Sequence, residues 1–255
     1  MQKREIPLLE YDGAVPAILE PSKLIAPIDV PEHCVLTFFQ EVLDAYKDAG
    51  RLKELHLLGS ERGPSPLYEM TINGSRLAVF HPGVGAPLAA AFMEELIALG
   101  CRKFIACGGC GVLDGTYKVG HVIVPKTAVR DEGTSYHYLP PAREVSTSPE
   151  AVRAITATLE SQCIEYVEGK TWTTDAFYRE TAAKVALRRE EGCLCVEMEM
   201  AAFCAVSQFR GVTFGQILYS SDNVSGDEWD HRDWQSRTPT RQKLFALAAA
   251  ACFLL

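Results

Sequence analysis

The sequence predicts an α/β protein: a three-layer αβα sandwich whose mixed central sheet carries helices on both faces. Three observations predict it. Short β-rich apolar runs alternate along the chain with stretches of helical periodicity. An Asn73-Gly74 pair stands between two of those runs and calls for a tight hairpin, hence at least one antiparallel pair. No stretch rich in Pro, Ser or Gly divides the 255 residues, so a single domain, 1–255, is expected.

Taken in order, helical spacing covers residues 32–49, and strand-like runs follow at 54–58, 67–72 and 76–81, with the Asn73-Gly74 turn between the last two. The clearest helix is PLAAAFMEELIALG, where Pro87 suits a first helical position and Gly100 a C-terminal cap. Leu88, Phe92, Leu96 and Leu99 share one side of it. Strands at 103–107 and 121–125 flank a turn at 111–115, and helices are expected at 149–162, 180–191 and 199–209. A strand at 213–220 and a helix at 239–253, behind a Thr238 cap, complete the chain, which contains no internal repeat.

Composition narrows the function classes. Hydrophobic residues at 47% and charged residues at 23% are those of a folded, soluble chain. A net charge of −8 with a pI near 5.3 argues against a nucleic-acid backbone or an anionic membrane as partner, so an anionic ligand must be met locally. The opening MQKREIPLLEYDG has no apolar stretch of signal-peptide length, and the apolar run LFALAAAACFLL is too short to span a bilayer. A cytoplasmic location is expected. The nine cysteines are an odd, scattered set, read as reduced thiols. Cys107-Gly-Gly-Cys110 lacks the second pair of a zinc ribbon and the following helix of a thioredoxin-like site, so neither metal nor redox chemistry is expected of it.

Three segments carry chemistry. HPGVGAP, residues 81–87, joins a strand to a helix through Gly83 and Gly85, which bring bare backbone close to a ligand; Leu88 occupies the third small position of a dinucleotide fingerprint, so that site is not expected. Ser221-Asp222 ends a strand, where ligands of open α/β sheets gather, although a turn or helix cap uses the same pair. CLCVEMEMAAF, residues 193–203, sets Glu197 and Glu199 in an apolar run. Two residues apart, these carboxylates cannot form one close acid pair and must have different jobs. One of them could accept two hydroxyls of a cis-diol such as ribose, with Met198 as a soft apolar wall; a Glu paired with an Arg in the core explains the run equally well.

Together these segments resemble the nucleoside phosphorylase superfamily, which holds purine nucleoside phosphorylases, uridine phosphorylases and related nucleosidases. VEMEMAAF is similar to its Glu-Met-Glu sugar motif, and KVGHVIVPKTAVRDEGTSYHYLP is similar to a phosphorylase-branch strand and the segment after it. HPGVGAP resembles its glycine turn, DAFY its base-stacking segment and YSSDN its Ser-Asp end, all in order from about residue 17 to the C-terminal helix. The resemblance implies a sheet partly closed as a barrel and a homo-oligomer of dimers or hexamers. It also implies cleavage of a nucleoside by inorganic phosphate, with no metal or organic cofactor. Carried over, Glu199 and Met198 hold the ribose with Glu197 behind them, Phe177 and Val196 meet the base, and Asp222 beside Ser221 protonates N7 of a purine.

The anion site departs from that pattern. FIACGGCG puts Ala106 and Gly109 where phosphorylases of the family carry an Arg and a Ser or Thr, and Lys23 in LEPSK stands where an Arg is expected. Phosphate is then expected on Lys23, on backbone near Gly108 and Gly109, and on Arg62 reaching in from a neighbouring subunit. No His precedes His33 to serve an adjacent site, and the Gln-x-Arg that reads uracil falls at Thr181 and Ala183, so a purine is favoured over uridine. A hydrolase using water and a non-catalytic nucleoside binder are the alternatives.

Overall fold

The computed structural model describes residues 3–255. Its strands are β1 (His33–Thr37), β2 (Lys53–Leu58), β3 (Ser65–Ile72), β4 (Ser75–Phe80), β5 (Lys103–Val112), β6 (Val122–Asp131), β7 (Glu144–Ser146), β8 (Tyr166–Thr174), β9 (Cys193–Glu197) and β10 (Thr213–Asn223). The helices are α1 (Pro21–Leu24), α2 (Gln40–Asp48), α3 (Ala86–Leu99), α4 (Pro149–Ser161), α5 (Ala182–Glu190), α6 (Met200–Arg210) and α7 (Thr238–Cys252).

All ten strands belong to one mixed sheet, and half of it closes on itself. β5 pairs β10, β10 pairs β6, β6 pairs β8, β8 pairs β9, and β9 returns to β5, which makes a five-stranded barrel. The open half, β1-β4-β3-β2, continues from the other edge of β5. β5 therefore changes partner along its length. Its first part, Lys103 to Cys107, pairs β1 in parallel, and its last two residues, Gly111 and Val112, pair β9 antiparallel. Between them Gly108, Gly109 and Cys110 have no strand on that edge, and a switch of strand partner is where open α/β sheets place ligands.

Alternation along the strands builds the two helical layers. Leu36, Phe80, Phe104 and Ala106 face α3 and α6, while Val35, Val79, Ile105 and Cys107 face α2, α4 and α7. The hairpin forms as its turn requires: Ile72 pairs Ser75, and Asn73 and Gly74 take φ of 50° and 84°. Gly100 closes α3 at φ 137°, a conformation only glycine adopts freely.

Several sequence expectations need correction. Residues 32–49 are not one helix: the run Cys34-Val35-Leu36 is the strand β1, buried on both sides between β4 and β5, and only Gln40–Asp48 is helical. A short, wholly buried strand has no period to distinguish it from helix. β8 and β9 went unpredicted because Thr171 and Thr173, buried but polar, do not read as a core strand and Cys193–Glu197 leads straight into α6. β5 runs through Val112, so the bend after it starts at Leu113 and not at Gly111. Thr238 is the first residue of α7 and caps nothing. The cysteines are free thiols, and the pair Cys107 and Cys110 lies in separate core clusters.

Candidate functional site

A cavity of about 800 Å³ opens where β5 changes partner. Its floor is Gly108 to Gly111 of β5 with Gln216, Tyr219, Ser221 and Asp222 of β10. Val196 to Glu199, the junction of β9 and α6, form one wall, and Phe177, Tyr178 and Glu180, the turn after β8, form another. Residues 224–229 and Trp234 cover it as a loop tied to the barrel by the Asn223–Asp230 bridge.

The two glutamates of the apolar run do have different jobs. Glu197 accepts the Thr173 hydroxyl at 2.6 Å and the N–H groups of Glu199 and Met200 at 2.8 and 2.6 Å. Thr173 Oγ1 in turn accepts the Ala201 N–H at 3.0 Å. The first N–H groups of a helix have no partner within it, so Glu197 and Thr173 satisfy the start of α6 and place a carboxylate at its positive end. The reading of such a Glu as an Arg-paired core residue does not hold for either position.

Glu199 is 5% exposed and reaches from the start of α6 to the glycine turn, accepting the Gly85 N–H at 2.6 Å. Gly85 stands at φ 96°, which is why its N–H can face the carboxylate. Burial, and next the nearby Glu197, push the Glu199 carboxyl up to about 8, against the Gly85 bond. Met198 is half-buried beside it in the cavity wall.

At the other end Asp222 accepts the Trp229 indole N–H at 2.8 Å on Oδ2, and its Oδ1 lies 2.8 Å from Ser221 Oγ. The same hydroxyl lies 3.0 Å from the Cys110 carbonyl, and its one proton serves one of the two at a time. Val196 covers Gly111, where a Cβ would lie 3.2 Å from it. Phe177 and Tyr178 pack together, ring centroids 4.1 Å apart, and stand 49% and 87% exposed at the rim.

The expected anion ligands divide. Gly108 and Gly109 are in the floor, but a side chain at Gly109 would meet Ser221 Oγ at 3.0 Å, so the space a Ser or Thr would use is already filled. Lys23 does not line the cavity. It is exposed on α1, next to a segment that Glu20 anchors to Arg210 at 2.8 Å, the last residue of α6. That is the far end of a helix about 16 Å long from Glu199. Arg62 also lies outside the wall, exposed and donating to Ser65 Oγ at 3.2 Å, though its charge reaches His81 beside the glycine turn.

Sequence reasoning missed much of the lining, Arg241, Gln216, Glu180 and Trp229 among it. Arg241 is buried against Phe39 and donates to the Tyr219 hydroxyl, Glu41 and the Trp234 carbonyl, so its guanidinium is committed. Gln216, 1% exposed and in register with Ala106, leaves its Oε1 without a partner. Of these four, only Trp229, a large aromatic in a polar loop, carried a sequence signal. The cavity thus holds Glu180, Glu197, Glu199, Asp222, Asp227 and Glu228 against Arg241 alone.

Comparison with known proteins agrees with this architecture. The chain is 29% identical to the guanosine phosphorylase of Halorubrum lacusprofundi over 171 residues, 67% of this chain and 71% of that protein. It is 30% identical to a DeoD-type purine nucleoside phosphorylase of Bacillus cereus over 173 residues, 65% of this chain and 72% of that one. Its fold matches the purine nucleoside phosphorylase of Toxoplasma gondii with a TM-score of 0.73 at 22% identity, covering 88% of this chain and 90% of the other. With the family model of the phosphorylase superfamily matching residues 32–253, and a part-closed mixed sheet of the same architecture, this chain belongs to that superfamily.

Proposed function

We propose that this protein cleaves the N-glycosidic bond of a nucleoside, a purine in preference to uridine, with inorganic phosphate as acceptor. The observation that supports this most is that one cavity brings together a buried carboxylate, aromatic rings at its rim and a carboxyl group at a strand end. In this reading Glu199 accepts the ribose 2′ and 3′ hydroxyls, Met198 packs on the sugar, and Glu197 holds Glu199 in place through the start of α6. Phe177 stacks on the base and Val196 lines its edge.

As the C1′–N9 bond breaks, its electron pair passes to the base and N7 takes a proton from Asp222, while a phosphate oxygen bonds to C1′. The proton that hydrogen phosphate loses on forming the ester restores Asp222 through solvent. Trp229 must release Oδ2 of Asp222 for the base to reach it. Backbone at Gly108 and Gly109 faces the nucleophile. The cation that phosphate needs is supplied by a second copy of the chain, Arg62 being placed outside its own cavity wall. A homo-oligomer is in keeping with Ile18, Leu19 and Leu24, which stand exposed on the segment before β1.

A second reading, hydrolysis with water as nucleophile, is favoured by the acidic cavity in which Arg241 is already committed. Base release from inosine, guanosine, adenosine, uridine and methylthioadenosine, each with and without phosphate, separates the two. Phosphate-dependent release with ribose 1-phosphate supports the first reading, free ribose without phosphate supports the second, and saturable binding without turnover would leave a nucleoside-binding protein.

A further inference from the structure

Gln216 is a buried amide on the cavity floor that the proposed chemistry leaves without a task. It is 1% exposed, and among the described residues neither its Oε1 nor its Nε2 has a hydrogen-bond partner. Its neighbours explain why. Ala106, in register with it on β5, presents only a methyl on the same face, and Leu218, two residues along β10, is apolar. Gly108 has no side chain to offer, and a Cβ there would lie 3.1 Å from the Phe38 ring and 3.7 Å from Leu218. Arg241 is already committed to Tyr219, Glu41 and the Trp234 carbonyl. A buried polar atom without a partner disfavours the empty fold, and an apolar side chain of the same length would occupy the place without that cost. The amide therefore points to a ligand that bonds it.

The place of Gln216 along the floor narrows the ligand. Asp222 is in register with Gly111 and Gln216 with Ala106, five residues apart on β5, so about 16 Å of strand separates the two. In the proposed reading the base meets Asp222, and displacement at C1′ needs the nucleophile on the side of the sugar turned away from the departing base. That side is the Gln216 end. We propose that Gln216 positions the nucleophile: its Oε1 accepts the O–H of a hydroxylic oxygen acceptor, hydrogen phosphate or water, and its Nε2 donates to an acceptor oxygen beside the bare backbone of Gly108 and Gly109. This rests on the reading of the cavity as a nucleoside site. A carboxamide offers both an acceptor and donors on a neutral group, so the ligand that satisfies it must give and take hydrogen bonds, as hydrogen phosphate and water both do. Gln216 itself neither takes nor gives a proton. The acceptor oxygen bonds to C1′ as the C1′–N9 bond breaks, Asp222 protonates the base, and the proton lost by the acceptor returns to Asp222 through solvent.

The test is Gln216→Met in the full-length protein, which keeps the length of the side chain and removes both hydrogen-bonding ends. Thermal unfolding and steady-state kinetics with and without phosphate read the result. Tm of the ligand-free variant is expected to hold or to rise by about 2 °C or more, because the unpaired atom is gone. A fall in Tm would make Gln216 a structural residue and overturn the assignment. Where base release depends on phosphate, KM for phosphate should rise about tenfold or more and KM for the nucleoside less than about twofold. Where release needs no phosphate, water is the acceptor, and kcat should fall about tenfold or more at an unchanged nucleoside KM. Constants equal to those of the parent, or a loss shared equally between acceptor and nucleoside, would overturn the role. Should no nucleoside be cleaved, the nucleoside reading fails on its own account and thermal shift with inorganic phosphate decides the part played by Gln216. A rise in Tm of the parent that Gln216→Met loses supports it, and equal shifts in both proteins, or none in either, would sink it.

Discussion

The two ends of the cavity are built differently. At the end proposed for the sugar, Glu197 and Glu199 are buried and bonded to backbone: Glu197 to the start of α6, Glu199 to Gly85. At the end proposed for the base, Phe177, Tyr178 and Trp229 are exposed, and among the described residues Glu180 has no hydrogen-bond or ion-pair partner. Groups held by helix and strand termini keep their geometry without a ligand, whereas groups on a turn and a covering loop take theirs when a ligand arrives. In the proposed reading the difference places each property: the part that would hold any riboside is pre-set, and the part that would distinguish bases is left adjustable.

Asp222 is bonded to Trp229 at the end proposed for the base, and its replacement should have the largest effect. Asp222→Asn is expected to lower kcat by about 10²–10⁴ with nucleoside binding retained, measured by steady-state kinetics and calorimetry. A loss of binding with unchanged kcat would show that Asp222 belongs to recognition instead. Next comes Glu199→Gln, which should lower kcat/KM for ribosides by well over about tenfold through weaker bonds to the diol. Equal rates for a riboside and its 2′,3′-dideoxy analogue would break the assignment of that end to the sugar.

The claim that the sugar end is pre-set is tested on the fold itself. Glu197→Ala leaves the first N–H groups of α6 without their acceptor, and a loss of about 2–3 kcal/mol in urea unfolding is expected. Unchanged stability would mean that α6 starts equally well without it. At the adjustable end, Trp229→Phe removes the indole bond to Asp222 and should change KM by only about threefold, since a rim residue must move for the base to enter. A change as large as that of Glu199→Gln would erase the contrast between the ends.

The smallest effect is one of pH. The folded chain holds the Glu199 proton up to about 8 and the Glu180 proton up to about 7, both above the 4.5 of a free Glu. Between those values the unfolded chain binds fewer protons than the folded one, so stability is full below about 4.5 and is lost as pH rises through 7 and 8. Tm of the ligand-free protein should fall by a few degrees across that window, and Glu199→Gln should flatten the slope. An unchanged slope would mean that Glu199 does not carry the raised proton affinity.

Local signals were enough for much of this. Asn73-Gly74 specified its hairpin because positive φ at both positions is a property of those residues alone, and Pro87 and Gly100 bounded α3 for the same kind of reason. The alternation of apolar runs with helical stretches predicted the layers, and the order of motifs from HPGVGAP to YSSDN pointed to the family. Those are facts of conformation and sequence order, and they need no distant partner.

What only the tertiary structure decided depends on residues far apart in the chain. That β5 leaves β1 for β9 at Gly108, and so opens the cavity, follows from strand pairings across almost the whole sequence. That Lys23 is held toward the C-terminal end of α6, that Ser221 fills the space over Gly109, and that Glu180 and Asp222 line one cavity follow from the same closure of the barrel. A charged side chain announces its chemistry in the sequence, but whether it is paired, buried or turned to a cavity is set by which strand ends the fold brings beside it.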